Sequence, residues 1–167
     1  AALYLLFVTT KEFLNKNYNA SQAISHFGFS LFILSILLNS LFSNEFSSNM
    51  KIGQKLIYEK EQIKFLKIKT LDKKNYKSVI ANFEITDEKK NVISLYPEIR
   101  IYNQPNILTS EADIISNVFF DKFIVINLLK GEEIFNVRYQ TKPFMIWIWI
   151  SVCLISIGGM LALFKKH

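Results

Sequence analysis

SHFGFSLFILSILLNSLFS, residues 25–43, is the stretch whose reading decides the fold. Together with Ala23 and Ile24 it makes a run, residues 23–43, without Lys, Arg, Asp or Glu. A helix needs about 20 predominantly apolar residues to cross a hydrocarbon core, so this run predicts a transmembrane helix. Its Ser and Asn side chains can bond along the helix or across to a neighbour. One titratable side chain, His26, stands a turn inside its start. Ionisable residues in spanning helices are rare and usually face a partner, a cavity or a cofactor.

A second such run lies near the other end. Residues 143–164, PFMIWIWISVCLISIGGMLALF, carry no charge and predict another transmembrane helix. Pro143 is expected at its first helical position, where a missing N–H costs nothing. Trp147 and Trp149 are expected at the membrane–water boundary, which amphipathic rings favour. Two residues apart on a helix they point about 200° apart, so one faces a neighbouring helix and the other lipid. Gly158 and Gly159 form a small-residue notch that can admit another helix. Residues 1–10, AALYLLFVTT, read as a partial transmembrane helix, the tail of a span that starts further upstream. Residues 11–22 read as an inside loop and residues 165–167 as an inside tail.

Between the two runs the character changes. Residues 44–142 hold 16 of the 20 Lys and Arg and 13 of the 14 Asp and Glu. After a polar exit at residues 44–49, short segments alternate apolar and polar: KLIYEKEQIKFLKIKT, KSVIANFEIT, NVISLYPEIRIY and KFIVINLLKGEEIFNVRYQ. Period-two alternation rich in Ile, Val, Phe and Tyr, cut by DKKN, DEKK, NQPN and KGEE, is the strand-and-turn signal. The segment therefore predicts one inserted all-β domain of six or seven strands, a small sandwich or barrel-like fold. Residues 110–117, SEADIISN, fit a strand or a helical turn equally well.

Composition excludes several classes. Half of the 167 residues are hydrophobic and 20% are charged, too greasy for an ordinary soluble domain and too charged for a pure membrane bundle. The net charge of +6 is spread over dispersed lysines with no nucleic-acid recognition motif, so no nucleic acid is expected as a partner. The single cysteine, Cys153, cannot form a disulfide within the chain, and two histidines, His26 and His167, do not make a metal cluster. Phosphate loops, nucleophile elbows and zinc spacings are missing from the sequence. Richness in Ile, Lys, Asn and Phe matches an A/T-biased genome such as an organelle's.

Basic residues give the topology. Lys11 and Lys16 flank one end of the His26 helix, and Lys165 and Lys166 follow the last one. Two spans separate them, so both sites lie on one side, the inside by the positive-inside rule. The β domain is then external, and His26 lies nearer the inner face.

The candidate chemistry is sparse. Glu98, Glu111, Asp113 and Asp121 have no spacing that marks an acid/base pair and read as strand carboxylates. Arg100 and Arg138, the two arginines of the chain, either fix strands through carboxylates or hold an acidic group such as a propionate. His26 is either a hydrogen-bonded structural residue or a neutral imidazole ligating haem iron. Phe29, Ser30 and Ile33 share its helical face, which suits a porphyrin and a protein core alike.

Five segments together resemble one family. They are SHFGFSLFILSI at 25–36, SLYPEIRIY at 94–102, TSEADII at 109–115, DKFIVINL at 121–128 and FNVRYQTKPFMIWIWISVCLISIGGMLAL at 135–163. In this order and spacing they resemble the C-terminal part of the CcmF family, membrane haem lyases of cytochrome c maturation. Pro97, Glu98, Arg100, Tyr102, Glu111, Ala112, Asp121, Arg138, Tyr139, Pro143, Trp147, Ile148, Trp149, Gly158 and Gly159 carry the match. Ser25 and Ser110 stand where the family has Ala and Thr.

The resemblance implies a C-terminal subunit or part of a haem lyase, involved in covalent haem attachment to apocytochrome c and active only with partner chains. It implies His26 as an axial ligand to the iron of a haem b shared with a partner chain or with another part of the protein. The implied partners are an N-terminal CcmF-like chain, thiol-handling and haem-chaperone maturation proteins, apocytochrome c and membrane lipid. The implied place is the mitochondrial inner membrane, with the β domain in the intermembrane space, or a bacterial inner membrane with that domain in the periplasm. The family's Trp-rich haem-handling segment, its other membrane histidine and its two external histidines have no counterpart in this sequence. The alternative is a non-catalytic membrane subunit of a larger inner-membrane assembly that keeps the fold.

Overall fold

The computed structural model of the protein describes residues 2–14, 19–129 and 134–164. They form two compact units. A helical unit takes the chain up to Ser43, Asn117–Asp121 and the chain from Lys142, while a β unit takes Asn44–Ser116 and Lys122–Thr141.

The helical unit contains α1 (Ala2–Leu14), α2 (Ala20–Phe42) and α3 (Met145–Phe164). The 23 residues of α2 and 20 of α3 reach about 35 and about 30 Å. Both are long and apolar enough to cross a membrane. The buried hydroxyls inside them are satisfied within the protein. Ser30 Oγ donates to His26 O (2.7 Å), Ser35 Oγ to Leu31 O (2.7 Å) and Ser151 Oγ to Trp147 O (2.6 Å).

Every buried residue of α2 and α3 is small: Ser21, Ala23, Gly28, Ser30 and Ser35 on one, Ser151 and Gly158 on the other. Small side chains let two backbones approach where lipid offers no hydrophobic drive for association. A Cβ on Gly28 would lie 3.0 Å from Ile155 N, and one on Gly158 would lie 2.7 Å from Ser21 O and Ser25 N. A Cβ on Gly159 would meet nothing within 4 Å. The notch is therefore Gly158 alone. Gly158→Val is expected to cost about 1–3 kcal/mol of packing, because besides Ser25 Oγ the obstructing atoms are backbone and cannot swing away. Thermal unfolding in detergent should show it as a lower midpoint, while Gly159→Ala leaves the midpoint in place or raises it.

Three boundaries differ from the sequence reading. Helix α1 runs on to Leu14, so Lys11 sits in its last turn instead of in a loop. Helix α2 begins at Ala20 behind Asn19; Lys16 and the rest of residues 15–18 lie outside the described residues. Pro143 is not the first helical residue. It ends a strand, Phe144 takes a left-handed conformation (φ 60°), and the helix starts at Met145. Hydrogen bonds fix this switch, since Phe144 N–H donates to Phe119 O (2.8 Å) and Pro143 O accepts from Asn39 Nδ2 (2.5 Å). The tail, residues 165–167, lies outside the described residues.

The β unit has ten strands among the described residues: β1 (Asn44–Met50), β2 (Lys55–Tyr58), β3 (Glu61–Asp72), β4 (Tyr76–Thr86), β5 (Val92–Leu95), β6 (Glu98–Tyr102), β7 (Leu108–Glu111), β8 (Asp113–Ser116), β9 (Phe120–Leu128) and β10 (Phe135–Pro143). One sheet has the order β1-β10-β9-β8; the other has β2-β3-β4-β6-β7, with β5 also on β4. Both contribute to one core. Phe65 of β3 stacks on Phe83 of β4 (4.5 Å between centroids) and meets Phe135 of β10 edge-on (5.6 Å). Met50, Ile63, Ile85, Ile124, Ile126 and Tyr139 close around them, each buried. The result is a sandwich of two sheets on a shared apolar interior.

The expected six or seven strands are too few. The segment KLIYEKEQIKFLKIKT is a hairpin, β2–β3, turning at Glu59 with φ 52°. The residues read as a polar exit form β1, which pairs antiparallel with β10 from Asn44↔Thr141 to Met50↔Phe135. Residues 110–116 are extended, shared between β7 and β8. The turns at DKKN, DEKK and NQPN fall between strands, and KGEE lies outside the described residues.

Candidate functional site

His26 is placed by the phase of α2. That phase turns His26, Phe29 and Ser30 toward Leu5, Val8 and Thr9 of α1, and the six line an open cavity of about 300 Å³. Thr9 is buried in this seam; its Oγ1 donates to Leu5 O (2.9 Å) and lies 3.1 Å from Ser30 Oγ. Ser30 Oγ donates to His26 O (2.7 Å), which fixes the backbone that carries the imidazole. The ring itself is exposed at the mouth, as is Phe29. Ile33, expected on the same face, is half-buried and does not line the cavity.

These residues suit one face of a haem. An imidazole beside Leu, Val and Phe provides a nitrogen donor and an apolar wall, the setting in which axial histidines ligate iron. A cavity of about 300 Å³ is at the small end for organic ligands, and His26 is the one histidine among the described residues. No group of three or more His, Cys, Asp or Glu that could hold a metal ion occurs among the described residues.

In the β unit, both arginines bind carboxylates. Arg100 Nε and Nη2 reach Glu98 at 3.1 and 3.2 Å, and Nη1 lies 3.6 Å from Glu111. The hydrogen bond to Arg100 holds the Glu98 carboxyl below its usual range, and the same pairing pushes Arg100 up. The Arg100 guanidinium also sits over the Tyr76 ring at 5.4 Å. Arg138 Nε meets Glu45 across β10 and β1 at 3.9 Å. Asp113 Oδ2 accepts from Tyr96 N–H (2.6 Å). Glu98 and Glu111 stand opposite each other in the β6–β7 register and share Arg100, so the arginine joins these two strands as Arg138 joins β10 to β1.

A cluster absent from the sequence reading lies deeper. Lys122 of β9 donates to Glu61 Oε1 of β3, and Tyr139 Oη of β10 donates to Glu61 Oε2 at 2.5 Å. Lys122 and Tyr139 are both buried. Burial first, and the Glu61 hydrogen bond second, push the Tyr139 phenol well up. A signal for it exists in the register: in DKFIVINL, Lys122 falls on the inward phase with Ile124 and Ile126.

Comparison with known proteins follows the same lines. Residues 41–143 match the family model described as the CcmF C-terminal beta-sandwich. The cytochrome c-type biogenesis protein CcmF of Escherichia coli K12 is 29% identical over 147 residues, covering 86% of this chain and 22% of that protein. The cytochrome c-type biogenesis protein ccl1 of Rhodobacter capsulatus is 34% identical over 93 residues, covering 56% of this chain and 14% of the other. The solved structure of a cytochrome c heme lyase, CcmF, superposes with a TM-score of 0.74 at 16% identity, covering 98% of this chain and 29% of that one. The matched stretches therefore cover between 14% and 29% of the length of these relatives.

Proposed function

The chain belongs to the CcmF family, and from that premise we propose that it is the C-terminal part of a haem lyase that works with an N-terminal CcmF-like chain. The observation that carries this reading is the position of His26, exposed at the mouth of an apolar cavity on α2. The imidazole of His26 would hold the iron of a haem b from this chain, and a histidine of the companion chain would complete the site. Leu5, Val8 and Phe29 give that site its apolar wall, and Thr9 and Ser30 meet beside it where α1 packs on α2. A haem bound there would supply an electron to the incoming haem before its attachment to the CxxCH thiols of apocytochrome c. The further partners of this reading are the haem chaperone and the thiol-handling maturation proteins.

The test is purification of the chain with its N-terminal counterpart, followed by a reduced-minus-oxidised spectrum. A b-type signal in proportion to this chain is expected. A complex without haem favours the alternative, a structural subunit of an inner-membrane assembly.

The chain is a membrane protein by its family and its two spanning helices. For the membrane and the side we propose the mitochondrial inner membrane with the β unit in the intermembrane space, or the bacterial periplasm in a bacterial host. The A/T-biased composition and the lysines near the span ends support this. Protease added to the outer face of intact membranes should cut at the turn of residues 87–90, where Lys90 takes φ 63° and all four residues are exposed or half-buried. Cleavage only from the inner face reverses the topology.

A further inference from the structure

The loop between β8 and β9 belongs to the helical unit, not to the strands on either side of it. It is a tight turn, with Asn117 N–H donating to Phe120 O at 2.8 Å. Its two central side chains are large, apolar and open: Val118 is 53% exposed and Phe119 62%. Scattered apolar residues on a surface are ordinary. These two are adjacent, and their backbone is fastened. Trp147 Nε1–H donates to Val118 O (2.8 Å) and Phe144 N–H donates to Phe119 O (2.8 Å). Both donors sit at the start of α3, and Phe144 holds a left-handed backbone to make its bond.

We propose that Val118 and Phe119 form an interfacial anchor, inserted among the lipid headgroups beside the entry of α3. Three features choose lipid as the occupant. The loop is hydrogen-bonded to the start of α3, a helix long and apolar enough to span a membrane and with most of its surface open, so lipid is the natural medium beside it. The carbonyls of both residues already have donors, which lowers the cost of moving these two acceptors out of bulk water. The neighbouring rings are tryptophans, which favour this depth: Trp147 is turned inward to the loop and Trp149 is 66% exposed. Loop and aromatic rings together make a collar at one end of the span, in the manner of amphipathic segments that lie in the interface plane.

The experiment uses the single cysteine. The parent chain, labelled with a fluorophore at Cys153, serves as a deep reference, because that exposed residue lies within α3. Phe119→Cys in a Cys153→Ser background carries the same label at the loop, and Val118→Cys provides a second position. The full chain is reconstituted in vesicles whose acyl chains carry bromine either near the headgroup or at mid-chain. The expected result is a larger loss of fluorescence from headgroup-end bromine at 118 and 119, with the order reversed at 153. Strong reaction with a water-soluble maleimide and no quenching would put the loop in water and overturn the anchor. Protection from both reagents would mean a protein covers it, which overturns the anchor equally, and so would deepest quenching at mid-chain.

Discussion

Glu61→Ala should destabilise the β unit by about 3–5 kcal/mol, the usual cost of breaking a buried ion pair from one side. The side chains of Glu61 and Lys122 are only 18% and 9% exposed, and Tyr139 is buried against them. Removing the carboxylate takes away the charge that balances a buried ammonium and the acceptor of the Tyr139 hydroxyl. A whole domain has about 5–15 kcal/mol in hand, so the variant sits near its unfolding threshold. The three residues come from β3, β9 and β10, so the loss falls on both sheets at once. Replacing both charges, Glu61→Leu with Lys122→Met, should recover most of the loss, because well-packed apolar residues often match a buried pair. Denaturant unfolding of the full chain in detergent, followed on the β-sheet signal, measures both. A Glu61→Ala midpoint equal to the parent's would show the cluster to be idle.

That cluster also marks where the sequence stops being readable. Alternation revealed the β unit because one face of each strand meets the core, and charge-free runs revealed α2 and α3 because lipid tolerates little else. Lys122 was hidden because a lysine reads as solvent-facing until its partner is known, and Glu61 stands 61 residues away along the chain. The β2–β3 turn was hidden because Glu59 and Lys60 carry no turn chemistry: the hairpin imposes φ 52° on Glu59 through strand pairing. Gly158 and Gly159 are chemically identical, and only the rotational phase of α3 against α2 separates a close crossing from open space. Pro143 looked like a helix start because that is where proline is harmless, but hydrogen bonds from Asn39 and to Phe119 moved the start to Met145. For His26, the sequence supplied the helix and the face, and family resemblance supplied the chemistry. The structure adds the cavity and the Thr9–Ser30 seam beside it, which depend on how α1 meets α2.

His26→Ala should abolish b-type haem in the assembled complex and, with it, cytochrome c maturation, while the helices and the sandwich stay folded. Bis-imidazole ligation needs both ligands, and in the proposed function His26 is one of them. The fold should tolerate the change because His26 is an exposed residue of α2, and the bond from Ser30 Oγ goes to its carbonyl, which alanine keeps. A structural histidine would behave in the opposite way. An intramembrane side-chain hydrogen bond is worth about 0.6 kcal/mol on average, so its loss would lower stability slightly and leave haem content unchanged. The measurement is the ratio of b-haem to this chain in the purified complex, variant against parent, with thermal unfolding as the control for folding. Soluble imidazole added to the variant gives a second readout: an exposed ligand position facing a cavity of about 300 Å³ has room for it, so partial return of the haem spectrum is expected. A variant that keeps its full haem complement would remove His26 from the iron and leave it a residue of the α1–α2 seam.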